Sequence, residues 1–471
     1  MLKPQACYNP DPTPCPLAAY TRKDGVTVEL GTSFSVPDGK GTLGVVLIGE
    51  GLGHEEAVDG LPFRPKAQAG SKLEDTFRRL GVKRDQFFIW NILGCQPPGN
   101  LLEDMWYANG AIEHCMKTHF DRVVQGFHTP HIKTLVALGN TALRVLTGVS
   151  GDASSKESIS HLRGYVFPSK WGWVVPAYHP SYLRRGNPQL TPTLVEDLRK
   201  AVAIAQGKYW DFRGNSHWEK PTYITTPSLD DAWSYYYRAL ENEKLVISYD
   251  IETSSSPEVE EDEREEIAHE PIESIQFSLA AGEGIYLPYK DEYITIAHKM
   301  MLLPNRKIGW NNWFFDDPIM KNAGFKFGGG LPIDLMWMFK HWHPRLERAL
   351  QKAASLFNFP FPWKHLYGTN MGLYGCADVD APQRILPKLV AAMKGIANPE
   401  NGVTVWDGFV EQIYQVHPCL TRASDRGIPV SEVRHAQLGK DLGEKLKELY
   451  GELQVLVPDE LKNVTPKRKV K

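Results

Sequence analysis

The chain has 471 residues, 42% hydrophobic and 23% charged, with a formal net charge of −3. Such a length exceeds one ordinary core, so two or three domains are expected, with the composition of a soluble globular protein. No apolar run reaches membrane-spanning length, no leader pattern of basic then apolar residues opens the chain, and there is no global basic field. Any nucleic acid must therefore be held by local patches such as Arg184-Arg185 or Lys467-Arg468-Lys469, the latter more readily read as a solvated end than as a nuclear address.

In chain order, Gly44–Gly49, Phe87–Leu93, Thr134–Gly139 and Trp173–Ala177 are short apolar runs that read as buried strands. Helical stretches lie between them, at Ser71–Leu80, Trp106–Val124 and Thr141–Leu146. This alternation predicts an α/β fold with a parallel sheet covered on both faces, whose sites form beyond the carboxyl ends of the strands. Residues 206–221 carry no period and read as a linker. A second α/β region opens with the strand Leu245–Asp250. The acidic run Glu258–Glu270 reads as a solvated hairpin loop, and Ile275–Leu279 with Gly284–Pro288 as a hairpin. From about residue 405 the pattern turns helical, ending in the charged stretch Leu442–Leu456.

Of six cysteines, Cys7, Cys15, Cys95 and Cys115 form two pairs flanking the first sheet, whereas Cys376 and Cys419 stand alone and read as core residues. In a cytosolic protein the paired set favours a metal over disulfides. Zinc and a [4Fe–4S] cluster both accept four thiolates, and four ordinary buried thiols are the remaining alternative.

Four motifs follow apparent strand ends. They are Ile48-Gly49-Glu50-Gly51-Leu52-Gly53, Gly60-Leu61-Pro62-Phe63, Asn91-Ile92-Leu93-Gly94-Cys95-Gln96-Pro97-Pro98 and His179-Pro180-Ser181-Tyr182-Leu183. In this order they resemble the active-site motifs of the iron–sulfur, or family 4, uracil-DNA glycosylases over roughly residues 1–205. The resemblance implies a three-layer α/β domain that flips a uracil out of DNA, with Cys7, Cys15, Cys95 and Cys115 holding a [4Fe–4S] cluster. It implies that Phe63 stacks on the base, Asn91 reads its edge, and Glu56 blocks a thymine methyl. His179 donates to O2 as charge builds, and Glu50 orients water or stabilises the sugar cation. Leu183 would wedge into the duplex, with Arg184 and Arg185 on phosphates. Four departures are visible: Leu52 stands where the family has proline, the segment from Phe63 to Ala69-Gly70 is about two residues longer than expected, Cys7 and Cys15 are further apart than Cys-x-x-Cys, and Leu101 follows Asn100 where an arginine is common.

In the second region, Asp250 and Glu252 alternate onto one face of a strand end. Asp316 follows a strand-like Lys307–Trp310, and Tyr374 lies one helical turn before Asp378. This series resembles the 3′–5′ proofreading exonucleases of DNA polymerases, the tyrosine-containing Asp-Glu-Asp-Asp group with a ribonuclease-H-like fold. It implies two Mg2+ or Mn2+ ions held by Asp250, Glu252 and Asp378 with Asp316 close by, and a water oriented by Tyr374. Asp317 and Asp380 are read as supporting or surface groups, and Trp310, Trp313 and Phe315 as surfaces for single-stranded bases. Residues Tyr414–Val430 resemble the opening of a family A polymerase, and no polymerase catalytic motif follows.

The expected organisation is residues 1–205 glycosylase-like, 206–221 linker, 222–398 exonuclease-like, and 399–471 helical. The expected function is a two-site DNA-processing hydrolase of replication and repair. It would act on uracil-containing DNA and 3′ single-stranded ends in the cytoplasm at the nucleoid, off the membrane. A DNA polymerase subunit is an expected partner and a phage genome an expected source. Two alternatives stand beside it: an exonuclease whose glycosylase-like domain only senses DNA, and a non-catalytic polymerase-docking scaffold.

Overall fold

The computed structural model describes residues 3–8, 14–126, 134–149, 157–208, 221–254, 271–357, 359–427 and 431–456. The run Glu258–Glu270, most of 206–221, Ile428–Val430 and the basic tail lie outside the described residues. Two compact units result, Met1–Asp407 and Gly408–Lys471.

The first sheet of the larger unit contains β1 (Val45–Gly49), β2 (Phe88–Asn91), β3 (Thr134–Leu138), β4 (Phe167–Ser169) and β5 (Gly172–Ala177), in the spatial order β2-β1-β3-β5-β4. All neighbours are parallel except the edge pair β4 and β5. Every residue of β1, β2 and β3 is buried, as a parallel sheet covered on both faces requires. Helices α1 (Gln68–Leu80), α2 (Ala108–Cys115), α3 (Asn140–Thr147), α4 (Pro180–Arg184) and α5 (Thr191–Ala205) supply the cover. The expected single helix over Trp106–Val124 is instead interrupted by a π-helical turn at Met116–Phe120. The short strand β4 carries no alternating pattern and was not foreseen.

The second sheet holds β6 (Thr222–Ile224), β7 (Ile247–Thr253), β8 (Ile272–Ser278), β9 (Glu283–Pro288), β10 (Lys307–Gly309) and β11 (Ile333–Asp334), in the order β11-β10-β7-β8-β9-β6. Its centre, β7-β8-β9, is antiparallel, and β10, β11 and β6 add in parallel. Helices α6 (Leu229–Glu241), α7 (Asp291–Leu302), α8 (Asp316–Asn322), α9 (Leu335–Trp342), α10 (Leu350–Leu356) and α11 (Met371–Lys394) accompany it. Mixed α/β architecture thus holds in both halves. The smaller unit contains α12 (His417–Arg426) and α13 (Glu432–Leu456). Among the described residues no helix is long and apolar enough to cross a membrane.

Candidate functional site

Parallel register sets the first site. Gly49 ends β1 directly beside Asn91, which ends β2, and β5 delivers His179 to the same edge of the sheet. Glycine is required at 49. A Cβ there would stand 2.5 Å from Asn91 Oδ1 and 2.6 Å from Phe63 Cζ. The backbone of Gly49 is therefore the floor against which the carboxamide and the ring lie. Phe63 adopts a left-handed backbone with φ of 48°, a strained choice for an aromatic residue. Its ring centroid lies 5.4 Å from that of His179.

Asn91 is 1% exposed, and neither its Nδ2 nor its Oδ1 finds a hydrogen-bond partner among the described residues. A buried carboxamide with both ends unmet costs about 1–3 kcal/mol per group, an arrangement native folds retain for a function. His179 caps α4. Its Nδ1 accepts from the backbone N–H of Ser181 at 3.3 Å, which leaves the proton on Nε2. Burial, assisted by the positive charge of Arg185, lowers its pKa from 6.5 to about 4, so the ring is neutral at physiological pH.

Two acidic residues flank this group differently. Glu50 Oε2 accepts from Thr141 Oγ1 at 2.5 Å, a partner the sequence did not single out. Glu56 is buried; its Oε2 accepts from the N–H of Gly53 at 2.6 Å and its carboxylate also bonds the backbone of Phe63. Glu56 thus braces the loop that carries the ring, and burial raises its pKa despite those bonds. Leu183 departs from expectation. It is fully buried, because α4 turns that face inward; Tyr182, at 39%, is the exposed large apolar side chain of the loop, beside exposed Arg184 and Arg185.

Cys7, Cys15, Cys95 and Cys115 are all buried in one core cluster. The long Cys7–Cys15 spacing is accommodated because the chain folds back, with Cys15 N–H donating to Cys7 O at 3.0 Å. The Cys15 and Cys115 thiols are hydrogen-bonded, which lowers Cys15 to about 7, and burial pushes Cys7 and Cys95 up to about 12. Cys7 Sγ also lies 3.1 Å from His119 Nε2, on the π-helical turn. Cys376 is buried as expected, whereas Cys419 is exposed.

The second site gathers on β7 and α11. Asp250, Glu252 and Asp378 bring oxygen atoms within 4.8 Å of one another, the group of that kind found among the described residues. Burial first, then their mutual repulsion, holds Asp250 and Glu252 well above the usual carboxylate range. Asp316 lies beneath them, its Oδ1 accepting from Ile251 N–H at 3.0 Å, and is not one of the three clustered donors. Asp378 accepts from Trp363 Nε1 at 2.9 Å and from Lys364 Nζ at 2.8 Å, and the same ammonium lies 2.7 Å from the Tyr374 hydroxyl. Neither Trp363 nor Lys364 was signalled by sequence spacing.

The neighbouring acids are interior rather than surface groups. Asp317 accepts from the Tyr249 hydroxyl, and Asp380 from Tyr223 at 2.7 Å, Gly282 N–H at 2.7 Å and Arg384 at 2.8 Å. Trp313 is buried, with Nε1 bonded to Pro332 O at 2.8 Å, so its ring is not displayed to stack a base, and Phe315 is half-buried against the core. Trp310 is half-buried with Nε1 bonded to Arg348 O at 2.9 Å, and Phe314 is the exposed ring.

The family model that matches residues 36–203 is that of the uracil DNA glycosylase superfamily. A type-4 uracil-DNA glycosylase of Thermotoga maritima is 33% identical over 177 residues, covering 37% of this chain and 83% of the relative. The chain belongs to the uracil-DNA glycosylase superfamily. Type-4 uracil-DNA glycosylases of Pyrobaculum aerophilum, 29% identical over 197 residues, and Sulfurisphaera tokodaii, 31% identical over 166, cover 41% and 34% of this chain and 87% and 70% of their own lengths. The matched residues contain Gly49, Asn91, Phe63 and His179, so the superfamily assignment and the pocket fall on the same sheet edge.

Proposed function

We propose that the first half excises uracil from DNA by hydrolysis of the N-glycosidic bond. The observation that carries this is the unpartnered, buried carboxamide of Asn91 beside Phe63 and His179. Asn91 donates to uracil O4 and accepts from N3–H; cytosine offers the reverse pattern and would leave both groups unmet, at about 1–3 kcal/mol each. Phe63 stacks on the extruded base. Neutral His179 directs its Nε2–H at O2, where negative charge grows as the bond breaks. Glu50, held by Thr141, orients water or faces the sugar cation. Glu56 keeps the Phe63 loop in the shape that excludes a bulkier base. Arg184 and Arg185 hold phosphates, and Tyr182 takes the displayed position beside them. Release of free uracil from a single-uracil oligonucleotide, absent in His179→Ala, tests the reading.

The four thiols would hold a [4Fe–4S] cluster in a structural role. The four thiols are buried together in one core cluster, a donor set that either zinc or the iron–sulfur group accepts, and the similarity to type-4 uracil-DNA glycosylases favours the latter. A brown protein whose colour is lost in the four-cysteine variant supports it.

The second half we read as a two-metal 3′–5′ exonuclease. The crowded, poorly solvated carboxylates of Asp250 and Glu252, beside an Asp378 already met by Lys364, favour binding of a cation. Two divalent ions about 3.5–4 Å apart would supply an activated water and a stabilised leaving oxygen. Tyr374 orients that water, Lys364 anchors Tyr374 to Asp378, and Asp316 fixes the backbone between Asp250 and Glu252. Mn2+-dependent shortening of a 5′-labelled single strand, lost in Asp250→Asn, tests it. We place the protein in replication-linked repair in the cytoplasm, with a DNA polymerase subunit as its expected partner. A pull-down with and without residues 399–471 tests that partnership.

A further inference from the structure

Helix α10 belongs to the second half by sequence but is gripped by the first. Tyr165 Oη donates to Gln351 O at 2.7 Å, Lys200 Nζ to Ser355 O at 2.6 Å, and Arg163 Nη1 to Ser355 Oγ at 3.1 Å. Arg163 is itself fixed by a buried pair with Asp197, and Tyr165, Arg163, Asp197, Gln351 and Ser355 are all buried. Cations at the last carbonyls of a helix are favourable, and buried polar groups met on every side fix one arrangement.

Gln351 connects this seam to the carboxylates. Its Nε2 donates to His161 O at 2.9 Å, and its Oε1 accepts from the backbone N–H groups of Trp363 at 3.1 Å and Lys364 at 2.8 Å. These two residues start a short 3-10 turn after a stretch without regular structure, so no strand or long helix sets their place. Their side chains are the ones that hold Asp378. We propose that Gln351 is a positioning residue for the Asp250–Glu252–Asp378 cluster, and that the glycosylase-like half, through His161 and Tyr165, is a working part of the metal site. This rests on the metal-site reading above and not on uracil excision. Partners that orient metal ligands typically change affinity about 10–100-fold when removed.

The test is Mn2+ titration of the full chain by calorimetry and electron paramagnetic resonance. Gln351→Met, close in volume but without either bond, is expected to bind Mn2+ about 10–100-fold more weakly, while cooperative unfolding and uracil release persist. Gln351→Glu keeps the acceptor for Trp363 and Lys364 but loses the donor to His161 O, and is expected to recover only part of the affinity. Tyr165→Phe, a change made entirely in the first half, is expected to weaken Mn2+ in the same direction, and it decides the matter should Gln351→Met not fold. Wild-type affinity in both Gln351→Met and Tyr165→Phe overturns the proposal. A wild-type chain that takes up no Mn2+ overturns the metal reading, and the proposal with it, which is a separable result.

Discussion

Nδ1 of His179 accepts from the backbone N–H of Ser181 at 3.3 Å and lies 2.7 Å from the Ser181 hydroxyl, and both contacts are met together when the imidazole proton sits on Nε2 and the hydroxyl donates. A neutral ring with a fixed tautomer is a preorganised donor that costs no reorganisation when charge develops in front of it. Burial holds its pKa near 4, below the ordinary 6.5. The unfolded chain therefore takes up a proton before the folded one does. The stabilising contribution is complete above the ordinary value and is lost as pH falls through about 4. Uracil release should stay level with respect to this group from neutrality down to about pH 5 and then fall. His179→Ala should lower single-turnover release by about 10²–10³, and an acid limb centred near 6.5 would contradict the assignment.

Gly49→Ala tests the pocket floor. Its Cβ would meet Asn91 Oδ1 at 2.5 Å and the Phe63 ring at 2.6 Å, and both belong to groups fixed by burial. One or both must move, so uracil release should drop by at least about 10²-fold, since a displacement of about 1 Å has that effect on a positioned site. Asn91→Leu should separate stability from function. It removes an unmet buried carboxamide, so thermal denaturation should show a gain of about 1–2 kcal/mol while release is abolished. A loss of stability in Asn91→Leu would show that the carboxamide is satisfied in solution.

How far the sequence spoke depended on whether a feature was local. Strands β1, β2 and β3 were legible because an unbroken apolar run ending in glycine or asparagine has one economical reading in a parallel sheet. The motifs implied that Asn91, Phe63 and His179 meet at one sheet edge, and they do: Asn91 ends β2, Phe63 lies in the loop after β1 and His179 stands two residues past β5. Leu183 was misplaced since a motif says nothing about which way a five-residue helix turns its side chains. Lys364 and Gln351 were invisible for a different reason. Their roles arise from contacts between segments separated by 14 and 190 residues, which carry no periodic trace. Trp313 failed as a stacking surface because its indole N–H is spent on Pro332 inside the core.

The displayed face of α4 gives a prediction in which stability and DNA binding separate. Leu183→Ala leaves a cavity in a fully buried place and should cost about 2–5 kcal/mol in denaturation. Tyr182→Ala should leave the melting point nearly unchanged and slow release from duplex more than from single-stranded substrate, because only duplex must be unstacked. Arg184→Ala and Arg185→Ala should each reduce the slope of log affinity against log salt by about 1, uniformly across sequences. Equal losses from duplex and single strand in Tyr182→Ala would remove it from base extrusion.

The carboxylate cluster makes the last prediction, and its sign follows from which state holds protons. Burial and mutual repulsion raise the folded pKa values of Asp250 and Glu252 above those of the unfolded chain. Without divalent ions the folded protein therefore retains protons that the unfolded chain has already released. Stability is greatest below the ordinary carboxylate range and is lost as pH rises through the raised values. The chelated full chain should melt progressively lower between about pH 5 and about pH 8, and Asp250→Asn should flatten that decline. Mn2+ should restore the loss chiefly at the alkaline end, where the ligands are ready to ionise and the ion binds only the folded arrangement. Differential scanning calorimetry with and without Mn2+ across that range makes the comparison. A melting profile that is flat in chelator, or an Mn2+ effect that is largest in acid, would show that these carboxylates are already paired and solvated, which is incompatible with a site built to take divalent cations.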